Sequence, residues 1–304
     1  MRVLFRSHNL IGDALNISPA LRTWIKNDPD KSKHIYMQTL PDHVAPLYIG
    51  MVRDLLGEHC ATFRTVFNRE DVPTPIDFEH VFDVNKAFEV SDKDKCHIAE
   101  SYAKLLGVQL EKSIEEGHRY DHLKLTYIPD DNKWMEGPHQ PLGSLRDCIL
   151  VSMFSASCTS HDPKCNFVPN KQLPFEKWKP ILTLLKEHYP DTPFKFLGAP
   201  TDVVPDILKE FGEPMFGIPL NRLALIMQKA KLLVTIDNGM SHLGASQECN
   251  EFLIYPRCLA PHYILPVGNP NLVWVQAEPN FVNPAQLVHA LKFAIQRFKA
   301  QEVK

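Results

Sequence analysis

Short apolar runs that read as strands alternate with longer stretches of helical spacing from the start of the chain. Arg2–Ser7 is strand-like, Asp13–Asn27 helical, His34–Leu40 strand-like, Val44–Leu56 helical and Ala61–Phe67 strand-like. This β-α-β-α-β order predicts a parallel sheet with helices on both faces. A weaker strand at His80–Val84, a helix near Cys96–Leu106 and an extended Leu123–Ile128 follow. Pro129 to Gly143 is then rich in helix and strand breakers and has no apolar period, which marks a linker.

A second alternating series begins after the linker. Strands are expected at Ile149–Phe154, Phe194–Leu197, Leu232–Asp237, Phe252–Tyr255 and Leu272–Val275, with helices over Phe175–His188, Val203–Phe211 and Leu220–Lys229. Pro284–Phe298 closes the chain, with a Pro at the first helical position after Asn283 and apolar residues at Leu287, Leu291, Ala294 and Ile295. The expected division is an N-terminal Rossmann-like domain over 1–140, a C-terminal one over 141–283, and a helix over 284–304 packing back on the N-terminal domain. The fold class is α/β, with two doubly wound parallel-sheet domains facing a central cleft, where the carboxyl ends of open sheets hold their ligands.

Composition narrows the function classes. The 304 residues are 44% apolar and 23% charged, with no apolar run near the roughly 20 residues of a membrane span. Seven Cys at irregular spacing form no disulfide framework, and the first residues turn polar too soon for a signal peptide, so a cytoplasmic location is expected. Cys158, His161 and Cys165 lie close together but lack a fourth ligand, so no metal site is expected. Residues 1–150 carry 18 Lys/Arg against 23 Asp/Glu, and 151–304 carry 15 against 13. Acidic residues crowd 70–94, which argues against a long nucleic-acid surface there. No Gly-x-Gly-x-x-Gly run and no Gly-Lys-Ser/Thr loop is present, which argues against dinucleotide oxidoreductases and P-loop enzymes.

The chemistry concentrates at three places. Leu232–Ala245 passes from a β-type run into Asp237-Asn238-Gly239 and restarts as small, helix-compatible residues through Met240, Ser241, His242 and Leu243. A strand, a tight turn and a helix N-terminus present unpaired N–H groups and the positive end of the helix dipole, a setting for a phosphate or diphosphate. The first βα turn contains His8, Asn9, Gly12 and Asp13, where a carboxylate either caps the helix or acts as a base on a substrate hydroxyl. Lys171 stands before a Pro-started helix, where an ammonium can pair with a phosphate as a point charge.

In order and local wording these motifs resemble the family 9 glycosyltransferases, the heptosyltransferase-like enzymes. Gly12-Asp13 and Pro19-Ala20-Leu21 match the opening motif, and Lys171, Pro174 and Trp178 match the start of the second domain. Phe196–Ala199, Leu223-Ala224 and Ala230-Lys231 follow in order, and Asp237, Gly239, His242, Leu243 and Ala245 match Asp-x-Gly-x-x-His-Leu-x-Ala in full. Residues 40–145 match only in general architecture. Asn238 departs from the pattern, since a Thr or similar small residue is common there.

The resemblance implies a GT-B fold and an inverting, metal-independent transfer of sugar from a nucleotide-diphosphate sugar to an acceptor hydroxyl, with no cofactor beyond that co-substrate. Asp13 is then the general base, with His8, Asn9 and Gly12 on the acceptor side. Lys171, Gly239, Met240, Ser241 and His242 hold the diphosphate, and Gly198, Ala199, Met215, Asn221 and Asp237 are candidates for nucleoside contacts. The expected partners are the donor and a glycan or other hydroxyl-bearing acceptor, with peripheral membrane contact compatible. The acidic N-terminal half argues against the anionic lipopolysaccharide acceptors of the family. Two alternatives stand beside this reading: transfer to hydroxymethylated bases in DNA, which is the only way nucleic acid enters as a partner, and a non-catalytic protein of this fold that binds a nucleotide or glycan.

Overall fold

The computed structural model describes residues 1–6, 11–27, 33–38, 62–66, 78–110, 147–155, 171–218, 220–256, 265–266, 269–278 and 282–302, with backbone alone for 62–66, 221 and 302. The chain divides into two compact units, Met1–Ile128 with Pro261–Gly268, and Pro129–Ala260 with Asn269–Lys304. The expected boundary at 140 and the helix over Val44–Leu56 lie outside the described residues.

The first unit holds a parallel four-stranded sheet in the order β3-β2-β1-β4, formed by β1 (Arg2–Arg6), β2 (His34–Gln38), β3 (Thr62–Val66) and β4 (His80–Asp83). Strand β1 is central, and its Val3, Leu4 and Phe5 are fully buried, as a strand covered on both faces requires. Phe5 stacks on Phe82 at 5.2 Å between ring centroids and meets Trp24 edge-on at 5.4 Å.

Trp24 comes from α1 (Ile11–Asn27), which carries Pro19 in its interior. Proline has no N–H for the carbonyl four residues back, and the buried Ser18 hydroxyl donates to that carbonyl, Leu15 O, at 2.7 Å. At the other end of the helix the buried Lys33 donates its Nζ to Ile25 O at 3.0 Å. Helix α1 packs on α3 (Ile98–Leu105), which α2 (Ala87–Asp94) precedes. Helix α2 was not expected from sequence, because it is short and polar and buries only Ala87 and Ser91. It stops at Lys95 in the left-handed region, φ 53°.

The second unit holds a parallel six-stranded sheet in the order β10-β9-β8-β5-β6-β7. Its strands are β5 (Ile149–Ser152), β6 (Phe194–Gly198), β7 (Glu213–Phe216), β8 (Leu232–Ile236), β9 (Glu251–Pro256) and β10 (Leu272–Ala277). Counted within the unit and read from β7, the order is third, second, first, fourth, fifth and sixth, the doubly wound pattern that reverses direction between β5 and β8. The described helices are α4 (Phe175–His188), α5 (Leu220–Met227), α6 (Gly239–Ser246) and α7 (Pro284–Glu302).

Helix α7 completes the second unit. Its Leu287, Leu291, Ala294, Ile295 and Phe298 are buried in the second unit's core, where α7 packs on α4 and its Trp178, Ile181, Leu182 and Leu185. Each such side chain gains roughly 1.5–3 kcal/mol by leaving water, which fixes α7 on the second unit. The helix expected over Val203–Phe211 is absent. Val204 precedes Pro205, which disfavours helical backbone, and only a single 3-10 turn forms at Asp206–Leu208. Strand β7 follows instead, and its Pro214 is tolerated because β7 is an edge strand.

Candidate functional site

The carboxyl edge of the second sheet gathers most of the residues singled out in the sequence. Strand β8 is buried along its whole length and delivers Asp237, 1% exposed, to the sheet edge. Lys171, in the segment that leads into α4, places Nζ 2.6 Å from Asp237 Oδ2. A carboxylate this deeply buried requires a counter-charge, and removing one partner of such a pair typically costs about 3–5 kcal/mol. The pair fixes an ammonium, only 14% exposed, beside the turn that opens α6.

Asn238 caps that helix. Its Oδ1 accepts from Met240 N at 2.8 Å and Ser241 N at 3.3 Å, while the Ser241 hydroxyl donates to Asn238 O at 2.8 Å. Two of the amides that the sequence assigns to a diphosphate are therefore engaged by the helix's own cap, and Gly239 contributes the N–H of the first helical position. His242 follows one turn in and is buried, with 7% exposure. Gly244 lets α6 settle on β8, since a Cβ there would lie 2.5 Å from Leu233 Cδ2.

The neighbouring strand ends line the same edge. Gly198 closes β6, where a Cβ would meet Asp202 Oδ2 at 2.6 Å and the Phe216 ring at 2.9 Å. Ala199 N donates to Asp202 Oδ2 at 2.6 Å, and Gly217, at φ +68°, donates its N–H to Gly198 O at 3.1 Å. Met215 lies one residue inside the edge on β7 and is buried. Asn221 is on α5, with its side chain outside the description. Phe154, just beyond β5, meets Phe175 and Phe216 edge-on at 6.2 and 5.9 Å between centroids. Sequence reasoning missed this aromatic group, because one Phe just past β5, one opening α4 and one closing β7 form no linear motif.

In the first unit, Gly12 and Asp13 stand half-buried in the first turn of α1, which follows the central strand β1. Asp13 is already engaged by a neighbouring group. His8 and Asn9 lie outside the described residues, as do Cys158, His161 and Cys165. Among the described residues, no group of three His, Cys, Asp or Glu side chains is placed to hold a metal ion, and no helix is long and apolar enough to cross a membrane.

Solved structures match this chain over almost its whole length. A glycosyl transferase family 9 protein from Veillonella parvula aligns with a TM-score of 0.64 at 14% identity, covering 97% of each chain. The fold is that of the family 9 glycosyltransferases. This GT-B fold recurs in the Escherichia coli ADP-heptose lps heptosyltransferase II, with a TM-score of 0.64 at 12% identity over 98% of this chain and 100% of that one. It recurs again in the E. coli heptosyltransferase WaaC solved with ADP, with a TM-score of 0.59 at 17% identity over 98% and 100%. No family model and no curated protein matches the sequence. Within the GT-B fold, the Lys171–Asp237 pair and the start of α6 fall beside the β5/β8 reversal, the position where doubly wound sheets bind ligands.

Proposed function

We propose that this chain is an inverting glycosyltransferase that takes its sugar from a nucleotide-diphosphate donor held on the second unit. The observation that carries the reading is the buried Lys171–Asp237 pair beside the N-terminus of α6, at the reversal point of a sheet whose fold is shared with ADP-heptose transferases. In this reading the acceptor hydroxyl oxygen attacks the anomeric carbon as its proton passes to the Asp13 carboxylate. The bond from that carbon to the diphosphate oxygen breaks, and its electron pair leaves with the phosphate. Attack opposite the leaving group inverts the configuration.

Charge that builds on the departing diphosphate is met by the Lys171 ammonium, the α6 dipole and the Gly239 N–H, with His242 one turn along. Lys171 has three donors, so it can keep Asp237 and still reach a phosphate oxygen. These groups supply positive charge without a metal ion. The ADP bound in one structural neighbour, and named for another, makes an ADP-sugar the first donor to test.

The test is donor turnover with ADP-, UDP-, GDP- and CMP-sugars in wild type and Asp13→Ala. The expected result is loss of transfer by at least about a hundredfold in the variant, in line with removal of a general base, with donor affinity retained. Full activity in Asp13→Ala would overturn the base assignment. Nucleotide binding without donor consumption across a panel of acceptors would favour the non-catalytic alternative.

A further inference from the structure

We propose that Asn238 is the positioning residue of the donor corner, an inference that rests on the donor reading above. Its carboxamide is saturated. Nδ2 donates to Ser152 Oγ at 2.9 Å and to Phe154 O at 2.8 Å, while Oδ1 takes the Met240 and Ser241 amides and lies 3.3 Å from the Thr235 hydroxyl. The orientation of the amide is set by chemistry, because Phe154 O can only accept and the two backbone N–H groups can only donate. One side chain thereby joins the end of β5, the end of β8 and the first turn of α6 across the sheet's reversal point.

Two consequences follow. The α6 terminus is held at a fixed place relative to β5 and to the Phe154 ring group, so the Gly239 N–H and the helix dipole point in one direction. The Met240 and Ser241 amides are withdrawn from ligand binding, so the diphosphate is gripped by Lys171, His242 and Gly239. Ser, Thr and ionised Asp do not do both. Ser, Thr and Asp can cap a helix, but a hydroxyl is too short to span to β5, and a carboxylate has no proton to give Phe154 O.

The experiment compares wild type, Asn238→Asp and Asn238→Thr in the full chain. Hydrogen exchange without ligand comes first, since it does not depend on the donor. Peptides covering 149–155 should exchange about tenfold faster in both variants, the expected effect of losing two hydrogen bonds, while α6 stays protected in Asn238→Asp because the carboxylate still caps it. Unchanged exchange over 149–155 overturns the proposal.

ADP and UDP binding by calorimetry follows. Both variants should bind about tenfold more weakly or worse. Asn238→Asp should bind more weakly than Asn238→Thr, because its carboxylate repels the diphosphate as well as losing the tie to β5, whereas the Asn238→Thr deficit reports lost positioning alone. A purely structural role would lower melting temperature and leave nucleotide affinity of the folded protein unchanged. Variants that lose exchange protection yet bind both nucleotides normally overturn the coupling to the donor corner. A wild type that binds neither nucleotide, nor GDP or CMP, sinks the donor reading, while the exchange result still decides whether Asn238 ties β5 to α6.

Discussion

Lys171 and Asp237 are the residues at which stability and the proposed chemistry are hardest to separate. Replacing Lys171 with Met leaves a carboxylate at 1% exposure without its counter-charge, which should cost about 3–5 kcal/mol. Asn at 237 in the same background removes the stranded charge, so the double variant should recover most of that loss in a urea-unfolding cycle. Additive losses would mean that the pair is not coupled. Donor binding should stay weak in the double variant, because the ammonium is gone in either case.

A second residue-scale prediction concerns Glu251, which sits fully buried at the start of β9, with Asn269 Nδ2 at 3.5 Å. Burial raises its carboxyl well above the ordinary 4.5, so the folded protein keeps the proton over a range where the unfolded chain has released it. Below about pH 4.5 both states hold the proton and this group imposes no penalty; as pH rises above that value, stability falls until the folded group ionises as well. Glu251→Gln should therefore be more stable than wild type at pH 8, with the gap closing toward pH 4.5. The nearby buried thiol Cys249, pushed up by burial and by Glu251, enters only in the alkaline range, so the interval from pH 5 to 8 isolates the carboxyl. A gap independent of pH would show that Glu251 is held by partners that keep it ionised.

At the scale of elements, helix α1 tests how a chain tolerates a proline inside a buried helix. Ser18 supplies the donor that Pro19 withholds from Leu15 O, so Ser18→Ala should cost about 1–3 kcal/mol as a buried carbonyl loses its partner. In a Pro19→Ala background the backbone N–H returns, and the same Ser18 change should cost much less. Equal costs in both backgrounds, measured by chemical denaturation, would end this account. The Pro19-Ala20-Leu21 wording was legible in the sequence as a motif, but the reason for the Ser before it was not, because a hydroxyl satisfying its own helix leaves no long-range pattern.

Other elements divide the same way. The central strands β1, β5 and β8 are continuous apolar runs and are read directly from sequence, as are α4 and α7 from their spacing. Strand β7 escapes, because a four-residue edge strand with a Pro in it carries no alternation, and the Val203–Phe211 stretch misleads because its apolar spacing is helical while Pro205 forbids the helix. The α6 corner was legible as a strand, a tight turn and a helix N-terminus. That its own Asn occupies two of the amides was not, although Asn directly before a helix is among the commonest caps, because the family pattern drew attention to what usually stands there instead.

At the scale of the whole molecule, the first unit takes in Leu265, which lies far along the chain from that unit's strands. One buried side chain accounts for part of that placement. His97 caps α3 by accepting Ala99 N–H on Nδ1 at 3.1 Å, and its Nε2 lies 3.0 Å from Leu265 O, a residue 168 positions away. The cap requires Nδ1 to be unprotonated, which leaves the proton on Nε2 and makes that nitrogen the donor to the carbonyl. The two bonds can be separated by substitution. His97→Asn keeps a strong cap but is too short to hold Leu265, whereas His97→Ala loses both. Hydrogen exchange of a peptide spanning 261–268 should accelerate equally in the two variants, while α3 should loosen only in His97→Ala. If His97→Asn leaves that peptide as protected as wild type, Leu265 is held by other contacts, and His97 acts on α3 alone.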